Sequence, residues 1–155
     1  RCTLSSSFSA SAGDRRHSRR SCREDVAWVV GSHDETTPWP ALPAGLTSLK
    51  VRTVFRDSTG ALWIGTEGEG AANVSSSGVV RYTMKQGLIN DFVRAFCQSR
   101  DGSLWIGTDS GLSRWRQGRF QNYHTAEGLA YGSIRALLQD RTGDLWVATD
   151  GGVNR

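Results

Sequence analysis

Three residue types recur along this chain at spacings that invite a chemical reading. Arg52, Arg94 and Arg135 lie 42 and 41 residues apart. The acids Glu67, Asp109 and Asp150 keep the same intervals, and so do Trp63, Trp105 and Trp146. The arginines could ring a ligand, as could the acids, and indole faces could stack on sugars. An architectural reading is stronger. A ligand site breaks the symmetry of a repeat, whereas a residue present in every unit serves the unit itself. Each arginine is therefore expected to pair with an acid or a carbonyl between neighbouring units, leaving no buried charge unpaired. The in-register tryptophans are expected to fill the core between units. Trp39 and Trp115, which fall outside that position, remain the candidates for stacking on a sugar.

Other groups carry less. Gly65-x-x-Gly68-x-Gly70 has the look of a phosphate loop, but no helix follows it to supply the N-terminus that binds anions, so it reads as a turn. His17, His33 and His124 have no phospho-acceptor context, and His124 is a lone, solvated histidine in a polar loop. Cys2, Cys22 and Cys97 show no metal-ligand spacing. Cys97 sits in an apolar strand pattern and is expected to pack as a small hydrophobe, while a Cys2–Cys22 disulfide stays open. Asn73-Val74-Ser75 fits a glycosylation acceptor. No catalytic, cofactor-binding or metal-binding residues can be assigned, and the ligand-binding residues are unknown.

Charge points the same way. Residues 1–23 hold six arginines against Asp14, a net +5. The remaining 13 basic and 14 acidic groups leave the rest of the chain at −1. A nucleic-acid surface is a basic stripe on a folded body, and here the basic charge is a tail. No nucleic-acid partner is expected, and residues 1–25, rich in Ser and Arg, read as low-complexity and disordered.

The elements that must position the recurring residues follow from internal periodicity. Gly45, Gly87 and Gly128 each precede a leucine or match its register, and Gly60, Gly102 and Gly143 repeat the same spacing. Each unit reads as four short strands. An apolar first strand (51–55, 93–98, 134–139) meets a Gly-ended turn. The second strand is 62–66, 104–108 or 145–149, and the third and fourth lie near 112–116 and 119–124. Turn signals every eight to twelve residues mark an antiparallel meander rather than βαβ units. The first two strands are apolar on both faces, as in a sheet held between neighbours. With 18 glycines, six tryptophans and three prolines, the composition suits such an all-β fold. The residue after Trp-Ile or Trp-Val is small (Gly65, Gly107, Ala148), which indicates close approach of a neighbouring backbone rather than a need for positive φ. Four-stranded sheets repeating every 40–45 residues are the blades of a β-propeller. No run of about eighteen apolar residues could span a membrane.

At these residues the sequence resembles the two-component regulator propeller repeat family, whose pattern is Gly-Leu, an apolar strand, Asp-x-x-Gly, Leu-Trp-Ile-Gly-Thr and Gly-Leu-x-Arg-Tyr. The second unit follows it throughout from Ser103 to Leu112. The first has Ala71-Ala72-Asn73 where Gly-Leu-x-Arg is expected and one extra residue before Tyr82, and the third stops at Arg155. The match spans residues 45–155, about 2.7 repeats: repeat 1 at 45–86, repeat 2 at 87–127 and a partial repeat 3 at 128–155. Residues 26–44, with Trp28 and Trp39, read as the degenerate end of a preceding blade.

The resemblance implies the extracytoplasmic, ligand-sensing part of a bacterial inner-membrane signalling protein with a histidine kinase or similar output. Its ligand would be a small molecule, often carbohydrate-derived, and its other partners the remaining blades of the parent chain. A homodimer is a further expectation, no cofactor is implied, and the membrane is met only through the parent. A propeller enzyme such as a sialidase is the competing class. Sialidase repeats place an aspartate two residues before the turn glycine, where this chain has Ser58, Arg100 and Arg141. A freestanding protein- or carbohydrate-binding propeller is the remaining alternative. Because propellers close with about four to eight blades, the open sheets of this chain are expected to make it poorly stable or prone to aggregate alone.

Overall fold

A computed structural model describes residues 50–155. The proposed disorder of 1–25, the preceding blade at 26–44, Trp39 and the pair Cys2 and Cys22 lie outside those residues. Eleven strands form three antiparallel sheets, each a meander in chain order. Blade 1 contains β1 (Val51–Arg56), β2 (Leu62–Thr66), β3 (Ala71–Ser75) and β4 (Gly78–Tyr82). Blade 2 contains β5 (Val93–Gln98), β6 (Leu104–Thr108), β7 (Leu112–Arg116) and β8 (Arg119–Tyr123). Blade 3 contains β9 (Ile134–Gln139), β10 (Leu145–Thr149) and β11 (Gly152–Asn154). The architecture is all-β and propeller-like, with no helix among the described residues long and apolar enough to cross a membrane.

The Gly-Leu landmark has a different role from a strand opening. One-turn 3-10 helices at Met84–Gln86 and Thr125–Glu127 follow β4 and β8. Gly87 and Gly128 terminate them at φ 102° and 103°, a left-handed conformation that only glycine adopts freely. At the other end, the Thr83 amide donates to Gln86 Oε1 (2.9 Å) and the His124 amide to Glu127 Oε2 (2.6 Å). These turns deliver the chain from the outer strand of one blade to the first strand of the next. His124 is exposed and begins one of them.

The core lies between sheets. Phe55, Trp63 and Ala71 on the back of blade 1 pack against Leu88, Val93, Phe96, Leu104 and Ile106 of blade 2. Ala95, Cys97 and Leu112 on the back of blade 2 meet Ile134, Leu137 and Val147 of blade 3. Cys97 is fully buried there. The small residue after Trp-Ile sets how closely the sheets approach. A Cβ placed on Gly107 would lie 2.5 Å from Ile134 Cγ2 and 2.9 Å from Ile134 Cβ, and one on Gly65 would lie 2.6 Å from Val93 Cγ1. The requirement is therefore space, with neither glycine at positive φ.

The tryptophan row is buried only in part. Trp63 is 1% exposed, stacked on Tyr82 at 5.4 Å and edge-on to Trp115 at 5.3 Å. Trp105 packs against Tyr123 and is half-buried. Trp146 does not lie in a core: it is 37% exposed on the uncovered back of blade 3. The expectation of three core tryptophans thus holds for Trp63 and fails for Trp146, for want of a facing sheet.

Candidate functional site

Two rims, at opposite ends of the first two strands of each blade, gather the polar residues. On the first rim, the pairing of the first and second strands slips by one residue in every blade. Val51 faces Thr66 while Thr53 faces Gly65, and the same step occurs at Val93/Ala95 and Ile134/Ala136. The extra residue is Arg52, Arg94 or Arg135. A bulge re-aims its side chain, here onto the acid that ends the second strand. Arg52 Nη2 lies 2.9 Å from Glu67 Oε1, Arg94 Nη2 is 2.9 Å from Asp109 Oδ2 with a second bond from Nε to Oδ1, and Arg135 grips Asp150 in the same two-pronged way. Each pair joins residues of one blade. The expected pairing between blades is incorrect, because the bulge turns each arginine along its own sheet.

The first strands of successive blades are the closest neighbours between sheets, so the three pairs stand side by side. Burial lowers the Arg94 pKa, and the flanking cations Arg135 and Arg52 lower it further against the pull of Asp150 and Glu67. The hydrogen bond from Arg52 holds Glu67 below the usual carboxylate value, and that from Arg135 does the same for Asp150. The result is a neutral row of alternating charge, with side chains between 21% and 52% exposed. Such a row offers guanidinium donors and carboxylate acceptors to a polar ligand. It holds no nucleophile beside a base, and among the described residues no His, Cys, Asp and Glu cluster could hold a metal ion.

The second rim is built by the Gly-ended turns. Asp57 Oδ1 accepts from the Thr59 and Ala61 amides (2.9 and 3.0 Å), and Oδ2 accepts the Trp63 indole N–H at 2.9 Å. Asp140 repeats this with Thr142 and Trp146, and Ser99 takes the Trp105 indole at 3.2 Å. In blade 2 the acid moves to Asp101, which receives Arg114 Nη2 at 2.6 Å while Arg114 covers the Trp105 ring at 5.4 Å. The role of these acids as anchors for the indoles is not legible from composition; the fixed offset of six residues between Asp57 and Trp63, and between Asp140 and Trp146, is the signal that marks it.

The same turns join the blades. Gln98 Oε1 accepts the Ser58 amide at 2.7 Å, and Gln139 Oε1 accepts the Arg100 amide at 2.9 Å while Gln139 Nε2 donates to Gly143 O at 2.8 Å. A shallow cleft between turns is lined by Gln98, Arg100, Gln139 and Asp140 among others. Trp115, proposed for sugar stacking, is not available for it. It packs edge-on against Trp63 and Tyr82 in the interface of blades 1 and 2. Gly65, Gly68 and Gly70 lie at the end of β2 and in the β2–β3 turn, which also takes up the extra residue of the first unit: Thr66 bonds Gly70 there, whereas Thr108 bonds Gly111.

The acid anchors predict acid sensitivity. The Ser99 hydroxyl, with further hydrogen bonds, holds Asp101 well below the ordinary 3.8, and the Thr142 hydroxyl and Trp146 indole do so for Asp140. Burial raises the Asp57 pKa, but its hydrogen bonds outweigh that and the net direction is down. A depressed carboxyl stabilises the fold above its unfolded pKa, and that stabilisation is lost as pH falls through the folded value. Thermal stability is therefore expected to change little between about pH 7 and 5 and to fall steadily below about pH 4. Asp101→Asn should flatten that acid limb; an unchanged limb in the variant would sink the assignment.

The repeat, the Gly-capped 3-10 turn, the bulged arginine and the turn-anchored tryptophan together define one structural unit used three times. A sequence model of the two component regulator propeller matches residues 45–68, 87–110 and 128–151. These repeats belong to the two component regulator propeller family. Each match covers the lead-in, the first two strands and the acid of the ion pair, the part of the regulator propeller repeat that builds both rims.

Among solved structures, the chain is similar to the extracellular domain of BT3049 from B. thetaiotaomicron, assigned as a hybrid two component system. The TM-score is 0.60 at 24% identity, over 66% of this chain and 15% of that one. It is also similar to the extracellular domain of BT4673 from the same organism, assigned in one structure as a one component and in another as a hybrid two component system. There the TM-scores are 0.57 and 0.53 at 27% identity, over 67% and 64% of this chain and 16% of those. The chain thus spans about one sixth of the length of these relatives. No curated protein matches it.

Proposed function

We propose that this chain is a segment of the extracytoplasmic ligand-sensing propeller of a bacterial two-component signalling protein, anchored in the inner membrane and coupled to a histidine kinase or similar output. The observation that carries the reading is the threefold regulator propeller repeat, together with a fold shared with extracellular domains of such systems. The segment contributes no catalysis. It supplies blades, and a small-molecule or carbohydrate ligand would act by favouring one arrangement of blades or protomers over another, which is all a ligand can do to a conformational equilibrium. The row of ion pairs on the first-strand rim supports this reading, since it is polar, partly exposed and held in fixed geometry.

The test is the reading frame on either side of the segment. Expected are further repeats at the same period, a membrane-spanning helix and a kinase core. A frame that closes after a few more blades and stops would overturn the sensor in favour of a freestanding binding propeller. In the intact parent, the ligand should also raise the melting temperature, since saturation at 100 times Kd stabilises a protein by about 2.7 kcal/mol.

A further inference from the structure

The turn rim breaks the symmetry that the ion-pair rim keeps. Its cleft, of about 500 Å³, is shared by three successive blades: Ser58 comes from blade 1, Gln98, Arg100 and Gly102 from blade 2, and Gln139 and Arg141 from blade 3. That volume lies within the usual range for small-molecule sites. At the second position of the turn, blade 1 has serine and the other two have arginine. At the first position, blades 1 and 3 have Asp57 and Asp140, while blade 2 has Ser99. The middle turn thus lacks the carboxylate that its neighbours carry there, and its own acid, Asp101, is drawn off to Arg114 and Arg116.

The groups left open in the cleft are donors. Asp140 is the one carboxylate of the lining, and it is fully engaged. Its Oδ1 accepts the amides of Thr142, Gly143 and Asp144, each at 2.9 Å, and its Oδ2 accepts the Trp146 indole. Against it stand two guanidinium groups. Arg100 Nη2 donates to Arg141 O at 2.6 Å, which fixes that fork across the gap between two turns. Neither Arg100 nor Arg141 forms an ion pair with a carboxylate among the described residues. Gln98 adds a third donor. Its Oε1 accepts the Ser58 amide at 2.7 Å, but its Nε2 makes no counterpart of the bond from Gln139 Nε2 to Gly143 O.

We propose that this cleft binds a small organic oxyanion, a carboxylate or a phosphate, through Arg100, Arg141 and the Gln98 amide. Guanidinium forks match the geometry of both groups, and a concave surface with an excess of positive charge concentrates anions from solution. The donors sit on blades 2 and 3, so a bound anion ties two adjoining turns and favours the blade spacing that brings them together. The site is separate from the ion-pair row on the opposite rim and does not depend on what that row binds.

Titration calorimetry on the full chain at constant ionic strength, with inorganic phosphate and with citrate as probes, tests this and tells the two chemistries apart. Saturable one-to-one binding of at least one probe is expected. Arg100→Gln and Arg141→Gln should each weaken it at least about tenfold, as losing a hydrogen bond to a charged group does. Arg119→Gln removes the same charge from β8, outside the cleft, and should leave the affinity within about twofold. The paired change Ser99→Asp with Asp101→Thr rebuilds the turn of blades 1 and 3, leaves the net charge unaltered and keeps an acceptor for the Trp105 indole. It should preserve the thermal transition and abolish anion binding, because it moves a carboxylate into the cleft. The proposal is overturned if neither probe binds saturably, if all three arginine variants weaken binding equally, or if binding survives the paired change in a folded protein.

Discussion

Trp63→Ala is expected to cost about 3–5 kcal/mol, the range for removing a buried aromatic from a packed interior, while Trp146→Ala should cost about 1 kcal/mol or less, as surface changes do. The two residues occupy the same position of the repeat and make the same bond to a turn aspartate, Trp63 to Asp57 at 2.9 Å and Trp146 to Asp140 at 2.8 Å. They differ in what faces them. Trp63 is 1% exposed and touches Tyr82, Phe96 and Trp115, two of them from the next blade, whereas Trp146 is 37% exposed with no sheet over it. Urea unfolding separates the causes, because the midpoint reports the loss and an unchanged slope reports that the same surface still unfolds together. Trp63→Phe should fall between, retaining ring area and losing the bond to Asp57. Equal losses for Trp63→Ala and Trp146→Ala would mean that the tryptophan stabilises its own turn and not the joint between blades.

That contrast also marks how far the sequence could be read. The period, the strand boundaries and the smallness of residues 65, 107 and 148 are local properties, fixed by turn glycines and by alternation along short strands, so they were legible. The second-strand ranges 62–66, 104–108 and 145–149 match the observed strands. What depends on neighbours was not. Trp146 carries the same motif as Trp63, and only the absence of a facing sheet distinguishes them. Trp115 falls outside the repeated position, which makes it a candidate for sugar stacking, yet it closes the first interface, because β7 brings it to the same face as Leu104, its cross-strand partner. The arginine and acid rows recur in register, but each arginine pairs with the acid of its own blade and not across blades. A β-bulge adds one residue to one strand without changing the period, so a sequence comparison passes over it. The interblade glutamines were also missed, since Gln98 and Gln139 recur in two units and the first has Arg56 in their place.

The sharpest consequence of close sheet approach concerns Gly107. Gly107→Ala should cost about 1–3 kcal/mol, the usual range for overpacking, because the new Cβ would lie 2.5 Å from Ile134 Cγ2 and 2.9 Å from Ile134 Cβ. Those atoms belong to a fully buried, stiff β-branched side chain at the start of β9 and cannot swing aside. Ile134→Ala alone should cost about 2–5 kcal/mol through the cavity it leaves. Combined, the two should cost less than their sum by about 1–2 kcal/mol, because the methyl added at 107 enters the space vacated at 134. Ala148→Gly, by contrast, should lose only about 1 kcal/mol through greater freedom of the unfolded chain, since no sheet covers that face. Strict additivity of the first pair would show that the small residue serves the strand itself. Coupling of the predicted sign would show that it serves the distance between blades, and so explain why a repeat that tolerates Ala71-Ala72-Asn73 in place of Gly-Leu-x-Arg retains glycine at 65 and 107, where Val93 and Ile134 press closest.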